Sequence, residues 1–401
     1  MKICILRSYL GSERNLVIST DDRDTAEWTR AVPDDAWALG TAVTNHHRDL
    51  RVLAEYAGLK DDWALPRKFV RPDEEANVDV SRPIQTVPRD ALLAHVGELL
   101  SRAESLSSLA DDSYITGFFA ETRRQLSDIR AARVDPAVWR GLMETDPSPA
   151  LASFEPNSDG LADPVVYDQM GTVTGRLTVH SGPQILTLRR DLRSILRPSR
   201  KGRRLLMVDF VSHEPRVALC LGGYEPPQDI YDWFREERMS GYSRDAVKNT
   251  IISTLYGMSS ASLSERLQCT LIEARAVNEI VRQGFNLPDL ERGLGEQMRT
   301  YGHILSCFGR RVTPSSSSPG VVVNSYLQST AFDAAMLGFR TILGRLAASL
   351  VEVSALFYIH DALVLEVSER DEDRLRSICS TPIEMKGFPG KYWTKVKEVT
   401  E

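Results

Sequence analysis

Two kinds of apolar pattern run along this chain, short continuous blocks and longer stretches with apolar residues three and four apart. Leu205-Leu206-Met207-Val208 is a block that follows Arg203-Arg204 and runs into Asp209, which predicts a strand entering a core with a carboxylate where it should end. Leu356 to Ile359 and Leu363 to Val367 flank His360-Asp361-Ala362, which predicts a hairpin with Asp361 at its tip. If the two elements lie side by side, Asp209 and Asp361 converge at one sheet end. Two carboxylates so placed repel each other unless divalent cations lie between them, and Mg²⁺ is commonly held by one or two carboxylates plus substrate phosphates. A strand-end aspartate capping a turn is the ordinary reading of either residue alone. Two in the same setting point to phosphoryl transfer.

The longer pattern predicts helices. Val87 to Leu142 carries Leu92, Leu93, Val96, Leu99, Leu100 and then Ile115, Phe118, Phe119, Leu126 and Ile129, the spacing of a pair of long helices. Asp146 to Pro164, rich in Pro, Ser, Asp and Gly, predicts a linker or long loop, and Thr172 to Thr178 predicts a Gly-Arg turn between short strands. Further helices are predicted over Glu214 to Leu221, Asp229 to Glu237, Leu263 to Phe285, Asp289 to Ser306, Val323 to Leu350 and near Glu369 to Cys379, with a terminal strand through Tyr392-Trp393. Ser315 to Ser318 predict an exposed loop. Ser243 to Tyr256 reads as one helix, with Ser243 at the N-cap and Gly257 just beyond the C-terminus. Arg244, Lys248, Ile252 and Tyr256 recur every fourth residue and share a face, which suits a triphosphate at one end and a base at the other. A solvated amphipathic helix is the plainer reading of that stripe.

Residues 1 to 84 carry little pattern and predict a small α/β or mainly helical subdomain, with Trp28, Trp37 and Trp63 in its middle and an exit through Pro66, Pro72 and Pro83. Composition adds limits. Across 401 residues, 42% hydrophobic and 26% charged is ordinary for a soluble globular protein, and no stretch approaches the apolar length of a membrane span. The opening ten residues lack a secretory pattern, and the five cysteines share no CxxC spacing, so free thiols in a reducing cytoplasm are expected. A net charge of −6 argues mildly against nucleic acid, yet Arg189 to Arg204 holds eight basic residues against one acidic residue just before Asp209. That run is either a solvated face or a nucleic-acid contact.

Taken in order, T-G-R-L (Thr174 to Leu177), D-F-V-S-H-E-P-R (Asp209 to Arg216), R-D-A-V-K (Arg244 to Lys248) with Y-G (Tyr256-Gly257), Q-S-T-A-F-D (Gln328 to Asp333) and H-D (His360-Asp361) form a pattern that resembles the DNA polymerase I family, the family A DNA polymerases. The resemblance covers roughly 146 to 401. It implies an α+β right-hand fold with an antiparallel-sheet palm at 151–215 and 320–401, helical fingers at 216–319 and a thumb-like helical region at 85–150. It also implies that Asp209, Asp361 and the Phe210 carbonyl hold two Mg²⁺ ions, for which Mn²⁺ could substitute. Arg244 and Lys248 match the cations that grip the triphosphate, with Lys248 able to donate a proton to pyrophosphate. Glu214 matches the steric gate against a ribose 2′-hydroxyl. Arg176, Asn324, Gln328 and His360 match primer-template contacts, and Tyr256 the aromatic at the template position. The implied partners are primer-template DNA and dNTPs, with no membrane, for a monomer working with accessory replication proteins in a bacterial or phage-infected cytoplasm.

The departures from the family pattern are specific. Ile252 stands where an aromatic stacks on the incoming base, and Ser253 replaces the following glycine. Ala362 replaces a glutamate after the hairpin aspartate, leaving two carboxylates. The interval from Asp209 to Lys248 is short, so the fingers look trimmed. Residues 1 to 84 are too few for a proofreading domain, and Asp73-Glu74-Glu75 reads as solvated surface. The expectation is a DNA-directed DNA polymerase without 3′–5′ proofreading. Its alternatives are a specialised translesion, gap-filling or primer-independent polymerase, and a catalytically inactive DNA-binding scaffold.

Overall fold

A computed structural model describes residues 1–6, 14–20, 26–39, 48–57 and 89–399, and the chain divides into two compact units, Met1–Glu121 and Thr122–Glu401. In the first unit β1 (Lys2–Ile5), β2 (Asn15–Ser19), β3 (Ala26–Thr29), β4 (Ala36–Leu39) and β5 (Arg48–Asp49) form one sheet in the order β3-β2-β1-β4-β5. β1 pairs antiparallel with β2 and parallel with β4. Helix α1 (Leu50–Tyr56) follows, capped by the Asp49 side chain, so the α/β expectation is the one met by the described part of residues 1–84. Trp37 is buried in this sheet and Trp28 is exposed. Trp63, Pro66, Pro72, Pro83, Asp73-Glu74-Glu75 and Val87 lie outside the described residues.

The expected helical pair at 87–142 is only partly present. Helix α2 (Arg89–Ser105) matches the first stretch, whereas the second is a π-helical Tyr114–Phe119 leading into an α-helical Ala120–Ser127. A separate helix, Pro136–Thr145, begins at Asp135, whose carboxylate caps the amides of Ala137 and Val138.

The second unit is built on the long strand β6 (Arg203–Phe210), which runs one residue past the predicted end. After it come the helices α3 (His213–Leu221), α4 (Ile230–Arg238), α5 (Arg244–Leu255), α6 (Ser260–Leu267), α7 (Leu271–Gly284), α8 (Leu287–Tyr301) and the thirty-residue α9 (Pro319–Ala348). The hairpin β7 (Val353–Ile359) and β8 (Ala362–Ser368) and the terminal strand β9 (Thr394–Glu398) complete an antiparallel sheet in the order β7-β8-β6-β9. One face of β6 turns Val208 and Phe210 into the core, where the Phe210 ring lies 5.1 Å from that of Phe339 on α9. A β-carbon at Gly338 would sit 2.5 Å from the Phe210 ring, so the strand can press on the helix only because that position lacks a side chain.

Leu263 to Phe285 is two helices rather than one. Gln268 adopts a left-handed conformation (φ 52°), and Thr270 with Glu273 forms a capping box that restarts the chain as α7. Gly302 (φ 71°) ends α8 before the predicted Ser306, and α9 starts earlier than predicted because Pro319 occupies its first turn. Leu219, Phe234, Ile251, Val281 and Phe285 join the helices into one apolar cluster that also reaches Val322 and Leu327 on α9.

Much of the basic run has local partners. Arg203 pairs with Glu366 at 2.6 Å in the interior, Arg189 meets Asp146 and Asp191, Arg197 meets Asp135, and Arg204 meets Glu369, Glu372 and Glu398. Arg203 therefore anchors its own strand in the sheet, while Arg189, Arg190, Arg200, Lys201 and Arg204 lie on the exposed surface.

Candidate active site

β6 delivers Asp209 to the sheet end because the strand alternates faces, putting Asp209 opposite to its buried neighbours Val208 and Phe210. The β7–β8 hairpin turns through His360-Asp361, with His360 in a left-handed conformation (φ 56°). The register sets Asp209 opposite Ala362, and the Phe210 amide donates to the Asp361 carbonyl at 3.1 Å. Both aspartates line one cleft of about 680 Å³. Loss of hydration, reinforced by the Asp209 charge, pushes the Asp361 carboxyl up to about 6. A divalent cation between the two would relieve that conflict, so the donor set fits one. Among the described residues no cluster of three or more His, Cys, Asp or Glu side chains is placed to hold a metal, so phosphates and water would have to complete the coordination.

Helix α5 forms another wall. Ser243 caps it by accepting from the Ala246 amide at 3.2 Å, and Gly257 (φ 71°) follows its end, as the sequence predicts. Val247, Ile251 and Leu255 go into the apolar cluster, which leaves Arg244, Lys248, Ile252 and Tyr256 on the face lining the cleft. Arg244 is held by Asp229 at 2.8 Å and Asp232 at 3.3 Å, and its guanidinium lies 5.4 Å from the centre of the Tyr231 ring. The Lys248 ammonium lies 6.0 Å from the same ring.

Glu214, in the first turn of α3, forms an ion pair with Arg176. Tyr256 lines the cleft beside both, and burial together with the Glu214 charge raises its phenol above the usual range. Arg176 reaches this point from a turn in which Gly175 (φ 77°) donates to Thr172 at 3.1 Å. A β-carbon at Gly175 would lie 2.3 Å from the guanidinium of Arg310, which is itself buried against Asp333 at 3.0 Å. Arg216 is fully buried, stacks 4.5 Å from the Trp393 ring and donates to the carbonyls of Pro226, Pro227 and Gln228, fixing the loop that leads into α4.

The cleft thus brings together Asp209, Phe210, Asp361, His360, Glu214, Arg176, Arg244, Lys248, Ile252 and Tyr256. Loss of hydration and the nearby Arg176 hold the His360 imidazole below its usual range. Asn324 and Gln328 are not in its lining; they bond to each other at 2.9 Å one turn apart on α9. Ser212, Tyr231, Lys395 and Lys397 line the cleft without having been singled out from the sequence. The K-x-K spacing of the last two could have flagged them, since period two puts both lysines on one face of a strand.

The family model for DNA polymerase family A matches residues 161–389. DNA polymerase I of Helicobacter pylori is 25% identical, over 58% of this chain and 30% of its own length, and the thermostable DNA polymerase I of Thermus filiformis is 28% identical, over 58% and 32%. The chain therefore spans about a third of the length of these relatives. A solved structure of the POL domain of Pol1 from M. smegmatis, in complex with DNA primer-template and dNTP, superposes with a TM-score of 0.63 at 14% identity, covering 100% of this chain and 95% of that one. It shares the mixed helix-and-sheet, right-hand polymerase fold. Among the described residues no helix is long and apolar enough to cross a membrane. The family match spans more than half the chain and takes in both aspartates and the cationic helix, and on that ground the chain belongs to DNA polymerase family A.

Proposed function

We propose that the cleft carries out template-directed DNA synthesis, transferring a nucleotide from a dNTP to a primer 3′-hydroxyl. The observation that carries this reading is the meeting of Asp209 and Asp361 at one sheet end, in a cleft that also holds the Arg244 and Lys248 face. Family A DNA polymerases generally use divalent metal ions. Here Asp209, Asp361 and the Phe210 carbonyl would hold two Mg²⁺ ions, or Mn²⁺ in their place. Bound there, such ions would lower the pKa of the primer hydroxyl and stabilise the leaving pyrophosphate.

The chain's own residues do the rest. Arg244 exchanges Asp229 and Asp232 for the triphosphate, and Lys248 grips the same group and can donate a proton to pyrophosphate. Glu214, held by Arg176, fills the space a ribose 2′-hydroxyl would need. Tyr256 stands at the template base, while Arg176, His360, Asn324 and Gln328 contact primer and template. In this reading residues 151–215 and 320–401 are palm, 216–319 fingers and 85–150 thumb-like, and 1–84 have no assigned role. The enzyme acts as a monomer in the cytoplasm, alongside accessory replication proteins, and its 401 residues perform no 3′–5′ editing.

Ile252 favours a second reading within the same chemistry. An aliphatic side chain on the cleft face of α5 stacks less well on a base than an aromatic, which suits a specialised gap-filling or lesion-bypass enzyme. Primer extension on intact, gapped and lesion-bearing templates tests both. The proposal expects Mg²⁺-dependent extension that Asp209→Ala reduces at least about 100-fold. Extension by Asp209→Ala at the wild-type rate would remove it, and DNA binding without extension would favour the scaffold.

A further inference from the structure

β9 is the edge strand of the four-stranded sheet, and its pairing with β6 sets Lys395 opposite Asp209 and Lys397 opposite Met207. Side chains alternate along a strand, so Asp209, Lys395 and Lys397 project from one face of the sheet, into the cleft. On the other flank of Asp209 the ladder places Ala362, a side chain with no charge. The paired position on the β8 side is therefore uncharged, with the Asp361 carboxylate entering from the turn just before it, whereas both cleft-facing positions on the β9 side carry lysines. The Lys397 ammonium closes directly on the Asp209 carboxylate as an ion pair, with both side chains about one-third exposed or less.

We infer that Lys397 is the resident counter-cation of Asp209, competing with a divalent ion for that carboxylate and so setting the metal concentration at which the site fills. The inference rests on the placement of metal at Asp209 proposed above. An incoming divalent ion must first break the ion pair and then sit beside an ammonium tethered to the same sheet. A tethered charge cannot diffuse away, so its repulsion persists after the pair opens. Triphosphate oxygens, being anionic, offset the lysine. The ligand-free site consequently binds metal weakly, and metal and nucleotide enter together rather than metal first. Lys397 touches neither the bond that forms nor the bond that breaks, so it is a positioning residue.

Calorimetric titration of Mn²⁺ into the full, nucleotide-free chain tests this without relying on turnover. Lys397→Met, which removes the charge and keeps the apolar stem, should bind Mn²⁺ roughly tenfold more tightly than wild type, the order expected for a unit charge within ~6 Å of a divalent ion at the dielectric constant of water. Lys397→Arg should keep the wild-type affinity, and Asp209→Ala should abolish binding in both backgrounds. Lys397→Gln is a second neutral replacement, with thermal melts confirming that each variant is folded. Neutral variants that bind Mn²⁺ no more tightly than wild type, while Asp209→Ala still abolishes binding, overturn the role of Lys397 alone. Binding that survives Asp209→Ala overturns the metal placement, and this inference with it.

Discussion

The Phe210 amide donates to the Asp361 carbonyl at 3.1 Å, so the strand carrying one acidic residue and the hairpin carrying the other are joined through main chain. The two carboxylates are held together by the ladder, against their own repulsion. Function and stability should then part company at this point. The Asp361 carboxyl is raised to about 6 by burial and by Asp209, above its value in the unfolded chain. Between pH 4 and 6 the native state binds the extra proton, so wild-type stability falls as pH rises through that window and stays low above it. Asp361→Asn lacks this loss. In metal-free buffer at pH 7.5 it should be more stable than wild type by about 1–2 kcal/mol, allowing for solvent screening, while losing primer extension. Denaturant melts at pH 4.5 and 7.5 check the sign, because the gain should shrink at the lower pH.

A second consequence concerns Arg310 and Asp333, a buried ion pair lying under the turn that presents Arg176. Removing the arginine leaves the Asp333 charge buried without it. Arg310→Met should cost about 3–5 kcal/mol in a denaturant melt, and replacing the pair together, as Arg310→Met with Asp333→Leu, should cost less than Arg310→Met alone. Gly175→Ala would force a left-handed backbone and a contact on that guanidinium. Its melt should show a loss of roughly 1–3 kcal/mol.

Ile252 shares the cleft face of α5 with Lys248 and Tyr256. If the incoming base lies against it, Ile252→Phe should lower the dNTP KM about fivefold or more, because stacking a base on an aromatic contributes about 1–3 kcal/mol. Steady-state kinetics on a primed template measure this, and an unchanged KM would place the base elsewhere.

The sheet and the cationic helix were legible because their signals are local. β6 and the β7–β8 hairpin are built on apolar runs, Leu205 to Val208, Leu356 to Ile359 and Leu363 to Leu365, with the turn at His360-Asp361 between the last two, and α5 carries both its cap at Ser243 and its stop at Gly257. The break at Gln268 was equally local, written in the Thr270-x-x-Glu273 capping box, yet the apolar periodicity on both sides masks it. Other features depend on distant partners. The basic run looks like a nucleic-acid surface until Glu366, Asp135, Glu369, Glu372 and Glu398 fold against it. Tyr231 and Lys397 join the cleft only when α4 and β9 pack beside α5 and β6; the K-x-K spacing puts Lys395 and Lys397 on one strand face but does not state which strand lies beside it.

The central claim is that Asp209 and Asp361 share divalent ions with a nucleotide held by Arg244 and Lys248. A crystal structure of the protein with primer-template, a non-reacting dNTP analogue and Mg²⁺ tests it most directly. The account predicts metal density coordinated by both carboxylates and by triphosphate oxygens, with Lys397 withdrawn from Asp209. Ions bound away from these carboxylates, or a triphosphate seated off the Arg244 and Lys248 face, would contradict it.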